Sequence, residues 1–585
     1  NYTENSVGLH LNSNLIKDIQ IDAEGIIWVG TDHGGINTIN PKDLSINYVL
    51  NNEEVENSLS HNSITALYKD TDDIMWIGTF KNGVDYYHRN MIRFPLYKKL
   101  ISDNQSLPFN DVNVFAEDNK NNIYLGTNGG GLIYFNRKTG RYKQYLHDPE
   151  DPNSISSNIV VSLLIDRKGD LWAGTYLGGL NKMTPSGFKT YSHNIQDTTS
   201  LADNNVWELF EDSRGNLWVG TLNGGLDLLD REKEFFYHVT KYTDERALQD
   251  NYISSIAEDH EGNMWIGGSN GIDVFNPASH IHKHFSHNPL DCSSLSSNYI
   301  LDIYNDKENH IWIGTQEGLD LYNKNENTFY HYSPTDGLPG KKIIGIMEDD
   351  QNDLWLTSSY GISQFRKESA ESSSDKIEPN FKNYSDLDGL QGNLFNEHAI
   401  FKTQKGELLV GGMHGFNIFN PKQFEHNNKK PKVIFTEFNL FNNKIHPNEK
   451  INGRIILKKP IQQTSKITLK YDENLFSVEF AALDFLQPYK NQYKYKLAGF
   501  DTYWQTAAST ERRVTYTNLD PGTYQFMVQA SNNDQVWTKD PATLTITVLP
   551  PFYKTIYAYL LYAFLSLTIL YFARRRIIKR QRKNF

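Results

Sequence analysis

The chain has 585 residues and a formal net charge of −12, and 38% of its residues are hydrophobic and 13% aromatic. Such a composition is typical of a globular protein with a tendency towards β-structure, and the length is sufficient for several domains. The single cysteine, Cys292, excludes an intrachain disulfide, and the acidic balance argues against nucleic acid as a ligand.

A short phrase, written WVGTLNGGLDLLD at residues 218–230, recurs along the chain at intervals of 43 to 54 residues. Each copy contains an apolar run, a strand with an aromatic anchor, a second short strand and an aromatic segment, which predicts a four-stranded antiparallel meander. Units of this length and strand number are typical of β-propeller blades. The nine anchors are Trp28, Trp76, Tyr124, Trp172, Trp218, Trp265, Trp312, Trp355 and, in a degenerate copy, Leu409.

A glycine, asparagine or aspartate lies three positions before every anchor. These residue types tolerate a positive φ at the lowest cost, so we expect a tight hairpin turn at each site. The anchors themselves are expected to be buried between neighbouring blades. The nine turn residues are Gly25, Asp73, Asn121, Gly169, Gly215, Gly262, Asn309, Asn352 and Gly406.

The nine copies divide into two and seven, because an irregular stretch follows the second copy. We predict that residues 1–91 are the last two blades of an N-terminal propeller whose other blades are missing, and that residues 92–430 form a seven-bladed propeller. The last copy lacks an outer strand, and we expect Arg93–Leu100 to supply it and so close the propeller. The polar residues 367–379 are predicted to be a loop insertion within one blade.

After residue 430 the repeat stops, and residues 431–550 show the short alternating strands of an immunoglobulin-like sandwich. Residues 553–573 are a predicted transmembrane helix, since they include nineteen consecutive uncharged residues. Residues 574–585 carry seven basic residues and are expected to begin a cytoplasmic region. Residues 1–552 would then lie outside the cytoplasm.

Departures from the repeat consensus provide the candidate ligand contacts. Trp207 and Glu208 lie on an inner strand where other copies have mostly small or aliphatic residues, and Asp302 aligns with Glu208. Aromatic side chains beside carboxylates and amides suit the apolar faces and hydroxyl groups of sugars. The turns after the anchor strands add Asp32, His33, Tyr176, Asn223, Gln316, Glu317, Tyr360 and His414.

No motif for catalysis, phosphate binding or zinc binding is present in the sequence. The nearest candidate for a metal cluster is His282, His284 and His287, but their alternation predicts a solvated face of an outer strand. We therefore expect no catalytic residues, no metal site and no cofactor.

Two groups of motifs resemble a known family. The copies WVGTLNGGLDLLD and WIGTQEGLDLYNK resemble the two-component-regulator propeller repeat, and YKYKLAGFDTYW with YTNLDPGTYQFMVQASN resembles the Y_Y_Y domain. Throughout its length the chain is similar to the periplasmic sensors of hybrid two-component systems in gut Bacteroidetes. The resemblance implies two seven-bladed propellers and a sandwich that bind an oligosaccharide, in a homodimer anchored in the inner membrane. It also implies a cytoplasmic histidine kinase, receiver and DNA-binding domain that control polysaccharide-utilisation genes.

Two other functions remain open at this level. A membrane-tethered propeller lyase or glycosidase would need two carboxylates about 5 to 10 Å apart, and Glu208 and Asp302 are the available candidates. A scaffold for protein interactions is the third hypothesis. Turnover of a glycan would favour the enzyme, and a lack of affinity for every oligosaccharide would favour the scaffold.

Overall fold

The computed structural model describes residues 10–239, 248–277, 282–367 and 377–581. Its regular structure in the described residues is mostly β-strand, with one long helix at the C-terminal end, so the predicted all-β class is confirmed. The chain forms two compact units. The first includes residues 10–69, 76–85 and 92–424, and the second includes residues 70–75, 86–91 and 425–581. The domain boundaries proposed from the sequence, at residues 91, 430 and 550, remain predictions.

The first two repeat copies form separate antiparallel sheets of four and three strands. The four-stranded sheet consists of β1 (Ile16–Ile21), β2 (Ile27–Thr31), β3 (Ile36–Ile39) and β4 (Ile46–Val49). The three-stranded sheet consists of β5 (Ile64–Lys69), β6 (Met75–Thr79) and β7 (Val84–Tyr87).

The remaining seven copies form seven four-stranded blades. The first six blades contain, in order, β9 (Val112–Glu117), β10 (Ile123–Thr127), β11 (Leu132–Asn136) and β12 (Arg141–Tyr145); β13 (Val160–Ile165), β14 (Leu171–Thr175), β15 (Gly179–Thr184) and β16 (Gly187–Tyr191); β17 (Val206–Glu211), β18 (Leu217–Thr221), β19 (Leu226–Asp230) and β20 (Phe235–Val239); β21 (Ser255–Glu258), β22 (Met264–Gly267), β23 (Ile272–Phe275) and β24 (His282–Phe285); β25 (Ile300–Asn305), β26 (Ile311–Thr315), β27 (Leu319–Asn323) and β28 (Thr328–Tyr332); β29 (Ile343–Glu348), β30 (Leu354–Ser358), β31 (Gly361–Phe365) and β32 (Phe381–Tyr384). The seventh contains β33 (Ile400–Lys402), β34 (Leu408–Gly412), β35 (Gly415–Phe419) and a strand from before the first blade, β8 (Leu96–Tyr97).

The seven blades close into a propeller, as predicted from the missing outer strand of the last copy. Each inner strand lies against the next one in chain order, and β33 of the last blade lies against β9 of the first. Strand β8 pairs with β35, with Tyr97 opposite Phe416. A bidentate ion pair between Arg137 and Glu407, with N–O distances of 2.6 and 2.8 Å, also joins the first and last blades. The prediction that Arg93–Leu100 closes the propeller is therefore confirmed.

The hairpin turns also follow the sequence prediction, because all nine predicted turn residues have a positive φ, between 61° and 86°. An aspartate six residues before the anchor stabilises the turn, a role that the sequence analysis did not assign. The Asp212 carboxylate accepts hydrogen bonds from the backbone N–H groups of Arg214 and Asn216 and from Trp218 Nε1, the last at 2.9 Å. The same aspartate–tryptophan bond occurs in the pairs Asp22–Trp28, Asp166–Trp172, Asp259–Trp265, Asp306–Trp312 and Asp349–Trp355.

A glycine two residues after the anchor lets neighbouring blades approach closely. A Cβ atom added to Gly220 would lie 2.7 Å from the Ile253 side chain of the next blade, and one added to Gly411 would lie 3.0 Å from the Val112 carbonyl across the closure. Both distances are shorter than ordinary van der Waals contact. In the WxGT part of the repeat, the tryptophan is thus the buried anchor, and the glycine leaves the space in which the following blade packs.

Residues 432–548 form the predicted sandwich. One sheet has the order β37-β36-β41-β44 and the other has the order β40-β46-β45-β42-β43, in which β40 pairs with β46 in parallel. Their apolar faces share one core, whose largest residues include Phe438, Phe476, Phe480 and Phe526. The strands are β36 (Lys432–Leu440), β37 (Asn443–Lys444), β38 (Lys450–Ile451), β39 (Arg454–Ile455), β40 (Lys466–Leu469), β41 (Leu475–Leu483), β42 (Tyr493–Ala498), β43 (Gln505–Ala507), β44 (Arg513–Thr517), β45 (Gly522–Ala530) and β46 (Ala542–Val548).

The long helix α1 (Ile556–Gln581) begins three residues after the predicted start and continues into the basic segment. It is long and apolar enough to cross a membrane, since its 26 residues extend about 39 Å and a bilayer core is about 30 Å thick. Of the predicted loop insertion, residues 368–376 lie outside the described residues, as do residues 582–585 of the basic segment. Short 3₁₀ helices lie at Pro334–Asp336, Asp386–Asp388, Pro421–Gln423, Ile461–Gln463, Pro488–Lys490 and Phe552–Lys554.

Candidate functional site

Three of the predicted site residues meet a fourth residue in the central channel of the propeller. Trp207 and Glu208 lie on β17 of the third blade, Asp302 lies on β25 of the fifth, and His398 precedes β33 of the seventh. His398 Nδ1 lies 2.8 Å from Glu208 Oε2, and the His398 ring packs edge-on against the Trp207 indole with centroids 6.0 Å apart. We call these four residues the axial cluster.

The sequence analysis missed His398, although the repeat contains a signal for it. Asp212 lies five residues after Trp207, and Thr403 lies five residues after His398 at the matching turn of the last copy. His398 therefore occupies the Trp207 position of the repeat, but its copy lacks both the aspartate and the tryptophan that mark the register. Its φ of 63° is in the left-handed region, which costs a residue other than glycine roughly 1–2 kcal/mol.

The ionisable groups of the axial cluster influence one another. Burial lowers the pKa of His398, but the Glu208 carboxylate outweighs this and raises it above its ordinary value. Burial raises the pKa of Asp302 to about 6, although Ile346 N and Ser255 Oγ donate hydrogen bonds to its carboxylate at 2.7 and 3.2 Å. The cluster thus favours the protonated form of His398 beside Glu208, and it raises the pKa of the Asp302 carboxyl group to about 6.

The raised pKa of Asp302 predicts a pH-dependent stability. Because the folded pKa, about 6, exceeds the ordinary value of 3.8, this group's contribution is complete below the ordinary value and is lost as the pH rises through about 6. Asp302→Asn is uncharged at every pH, so its thermal unfolding midpoint should rise relative to wild type between about pH 4 and pH 8, by the equivalent of up to about 3 kcal/mol.

Circular dichroism melts across this pH range measure that difference. Asp197→Asn provides the control, because hydrogen bonds from Thr199 lower the pKa of the exposed Asp197 and predict a small change of opposite sign. Parallel melting curves for Asp302→Asn and wild type would show that Asp302 is not the titrating group.

A cavity of about 490 Å³ lies at the mouth of the channel above the axial cluster. We call it the channel-mouth cavity. Its volume is in the range of small-ligand sites. Lys342 and Glu397 form an ion pair with an N–O distance of 3.6 Å on its wall. Other lining side chains are Asn113, Asn128, Tyr176, Trp207, Asn396 and His398.

Two ring nitrogens beside this cavity are unsatisfied. Trp207 Nε1 and His398 Nε2 have no hydrogen-bond partner within the part of the chain that the structure describes. Buried polar groups are nearly always hydrogen-bonded in folded proteins, so each such group needs an explanation. Both atoms belong to axial-cluster residues that line the cavity, and both are buried.

The other predicted residues do not line the channel-mouth cavity. Asn223 donates a hydrogen bond to the Asp203 carboxylate, and Glu317 forms an exposed ion pair with Lys341. Gln316 and Tyr360 are exposed at their turns, and Asp32 and His33 pair with each other in the first sheet. His414 lines a second cavity of about 1,060 Å³, which β8 also borders.

The three predicted histidines contact two different groups, since His282 and His284 lie beside Asp273 and His287 lies beside the Leu295 carbonyl. His284 Nδ1 lies 2.9 Å from the Asp273 carboxylate, and His287 Nδ1 lies 2.6 Å from the Leu295 carbonyl. His282 is also within 3.3 Å of Asp273. Equivalent histidine–aspartate pairs occur in two other blades, His238–Asp227 and His331–Asp320, so this pairing is a feature of the repeat.

Comparison with known protein families identifies the repeats and part of the sandwich. The model named "two component regulator propeller" matches seven segments, namely residues 10–33, 58–81, 106–129, 154–177, 200–223, 247–270 and 294–317. The repeats are two-component regulator propeller repeats. Two further repeat copies, anchored at Trp355 and Leu409, form blades of the same topology outside the matched segments. The Y_Y_Y domain model matches residues 484–549, within the sandwich.

Two similar proteins carry names from two-component signalling. "Histidine kinase P4" of Formosa agariphila is 35% identical over 181 residues, which are 31% of this chain and 13% of that protein. The extracellular domain of a putative hybrid two-component system from B. thetaiotaomicron has the same fold, with a TM-score of 0.71 and 24% identity over 92% of this chain and 73% of that one. The predicted family resemblance is thus confirmed. The chain combines two-component regulator propeller repeats, a Y_Y_Y domain and one helix that is long and apolar enough to cross a membrane.

Proposed function

We propose that this chain is an extracytoplasmic sensor that binds an oligosaccharide in the channel-mouth cavity. The observation that carries the proposal is the cavity itself, which aromatic, amide and charged side chains from several blades line together. Sugars present apolar ring faces and many hydroxyl groups, and this set of side chains complements both.

Tyr176 provides the most accessible aromatic face of the cavity. It lies in the turn after β14 and is 38% exposed, so a sugar ring stacks on it without rearrangement of the core. Asn113, Asn128 and Asn396 line the cavity with amide groups whose Nδ2 atoms already donate hydrogen bonds within the propeller, and Lys342 and Glu397 add charged partners for hydroxyl groups. A site that combines a few polar groups with aromatic walls fixes both the position and the orientation of a ligand.

The signalling part of the proposal concerns the rest of a longer protein. Residues 1–552 would lie in the periplasm, α1 would cross the inner membrane once, and the basic segment would face the cytoplasm. A homodimer would pass the binding event to a cytoplasmic histidine kinase and response regulator that control polysaccharide-utilisation genes. Binding signals only if the sugar has a higher affinity for one arrangement of the dimer than for the other.

Isothermal calorimetry with neutral and acidic oligosaccharides tests the binding site on the complete chain in detergent. We expect Tyr176→Ala to weaken binding roughly three- to tenfold, because an aromatic contact contributes about 0.5–1.5 kcal/mol beyond the area that it buries. Tyr360→Ala is the matched control, since Tyr360 is an exposed turn tyrosine that does not line the cavity.

Each result has a defined meaning. Loss of affinity in Tyr176→Ala alone supports the cavity as the site, and equal affinities in both variants and wild type would place binding elsewhere. Chromatography of the sugars after incubation addresses the enzyme hypothesis, and cleavage would contradict a sensor that binds without turnover. A lack of affinity for the whole panel would favour the protein scaffold.

A further inference from the structure

One end of the sandwich is defined by the departure of the membrane helix. Strand β46 ends at Val548, and α1 begins eight residues later at Ile556. The pairing of Gly522 and Leu469 with Val548 places the ends of their loops beside this point. The antiparallel register of the remaining strands places five connecting segments at the same end of the sandwich. We call it the helix-proximal end. The five segments are residues 441–442, 470–474, 499–504, 518–521 and 549–555.

Exposed aromatic residues from four of these connections accumulate at the helix-proximal end. Tyr503 is 79% exposed and Phe552 is 78% exposed, values far above those of ordinary aromatic side chains in a folded domain. The complete set is Phe441, Tyr471, Phe500, Tyr503, Trp504, Phe552 and Tyr553. Since the sandwich already has a closed core, this surface needs a partner of its own.

The loop that carries three of these residues is firmly held. The Asp501 carboxylate accepts hydrogen bonds from Leu497 N at 2.7 Å and from Tyr516 Oη at 2.8 Å. Lys496 Nζ donates to the Thr502 carbonyl at 2.9 Å. The outward direction of Phe500, Tyr503 and Trp504 is therefore built into the fold, and the ordering entropy of the loop has already been lost before any contact.

The connection to the membrane is short. Seven residues, 549–555, join Val548 to Ile556, and seven extended residues span at most about 25 Å. The 3₁₀ helix Phe552–Lys554 shortens this reach further. The helix-proximal end is consequently held close to the surface of the bilayer that α1 enters.

Charge identifies the kind of contact. Glu473 is buried and paired with Arg454, and the other charged residues of the five connections are two lysines, Lys470 and Lys554, and three aspartates, Asp472, Asp501 and Asp520. This acidic balance gives no attraction to anionic headgroups, whereas tyrosine and tryptophan favour the interfacial layer of a bilayer for its mixed polarity. We propose that the helix-proximal end rests in this interfacial layer, with its aromatic side chains inserted among the lipid headgroups.

With such a contact the sandwich binds the membrane surface itself, and it also connects the propeller to α1. It fixes the tilt of the sandwich relative to the bilayer, so movement of the domain is passed to α1 rather than absorbed by residues 549–555. The contact depends on the membrane anchor alone, and it holds whether or not the propeller binds a sugar.

Spin-label accessibility in lipid nanodiscs tests the proposal on the complete chain. The exposed Cys292 is first replaced by serine, and a nitroxide is attached at Tyr503→Cys or, as control, at Ile195→Cys, an exposed propeller-loop position. With neutral phosphatidylcholine and phosphatidylethanolamine, collisions of the Tyr503 label with oxygen should exceed those with a water-soluble nickel complex. The Ile195 label should show the reverse, and neither result should change in about 0.5 M salt.

If the Tyr503 label were as accessible to the nickel complex as the Ile195 label, the proposal would be overturned, because the helix-proximal end would then face water. Low accessibility to both reagents would also overturn the proposal, because the label would then be buried against protein. In that case, dipolar broadening that disappears on dilution with unlabelled chain would show that a second copy of the chain covers this end. Phe552→Cys provides a second labelling position should Tyr503→Cys fail to fold.

Discussion

Phe94→Ala is expected to open the closure of the propeller. Phe94 is fully buried, and its aromatic ring contacts those of Phe419, Tyr384 and Phe424 with centroids 4.7, 5.1 and 5.3 Å apart. Its carbonyl also accepts a hydrogen bond from Asn417 Nδ2 at 3.0 Å. Truncation of a buried phenylalanine lowers the free energy of unfolding by about 3–5 kcal/mol, and here the loss falls on the segment that joins the last blade to the first.

Hydrogen exchange monitored by mass spectrometry measures this effect blade by blade. Peptides that cover β33–β35 and β9 should lose protection before those of the central blades, because opening begins where the closure is broken. Phe80→Ala is the matched control, since Phe80 is half exposed on the second sheet and its truncation should leave the exchange of the propeller unchanged. Equal loss of protection in all seven blades would mean that the closure does not limit local opening.

Lys367→Met should destabilise the propeller by about 3–5 kcal/mol at neutral pH. The Lys367 ammonium is buried between two carboxylates and lies 2.8 Å from Asp306 Oδ2 and 2.8 Å from Glu348 Oε1. Methionine keeps the apolar stem but removes the charge, which leaves two buried carboxylates without their shared cation. Chemical unfolding monitored by tryptophan fluorescence measures the loss.

The pH dependence of this variant has a definite sign. Burial raises the pKa of Asp306, but hydrogen bonds from His310, Lys367 and Trp312 outweigh it, so the folded pKa lies below its ordinary value. In wild type the contribution of Asp306 is present above that ordinary value and is lost as the pH falls. Without Lys367 the carboxylates become easier to protonate, so the deficit of the variant should shrink as the pH is lowered.

Lys341→Met is the matched control for charge removal. Lys341 and Glu317 form an ion pair with the same N–O distance of 2.8 Å, but both side chains are exposed to solvent. Exposed pairs contribute about 0–1 kcal/mol because solvent screens them. A similar cost for Lys341→Met and Lys367→Met would show that burial does not control the strength of the Lys367 cluster.

The candidate site shows how far the sequence analysis extended. Trp207, Glu208 and Asp302 were found because they depart from a strong repeat, and a departure at an inner-strand position points into the channel. His398 was missed because Thr403 and Leu409 stand where other copies have the aspartate and tryptophan that mark the register. Turn residues such as Asn223 and Tyr360 were included because the repeat gives their position on one face but not their distance from the axis.

The repeated part of the fold followed from local signals. A residue that tolerates positive φ specifies each hairpin turn, an aromatic anchor specifies the buried strand, and a glycine two residues later specifies where the next blade packs. These signals act within one blade or between neighbours, and so they are visible in a single sequence. The parallel pairing of β40 with β46 was not predicted, because its partners are about 80 residues apart and no short motif marks them.

By itself, the sequence determined the number of blades, the strand order within each blade, the closing role of the segment around Phe94 and the single apolar helix at the C-terminal end. Only the tertiary structure showed that Glu208 and Asp302, 94 residues apart, share a channel with His398, and that separate loops of the sandwich bring their aromatic residues to one end. The physical reason is the range of the interactions. Turn geometry and strand periodicity depend on neighbouring residues, whereas the approach of distant side chains depends on how seven blades close and two sheets pack.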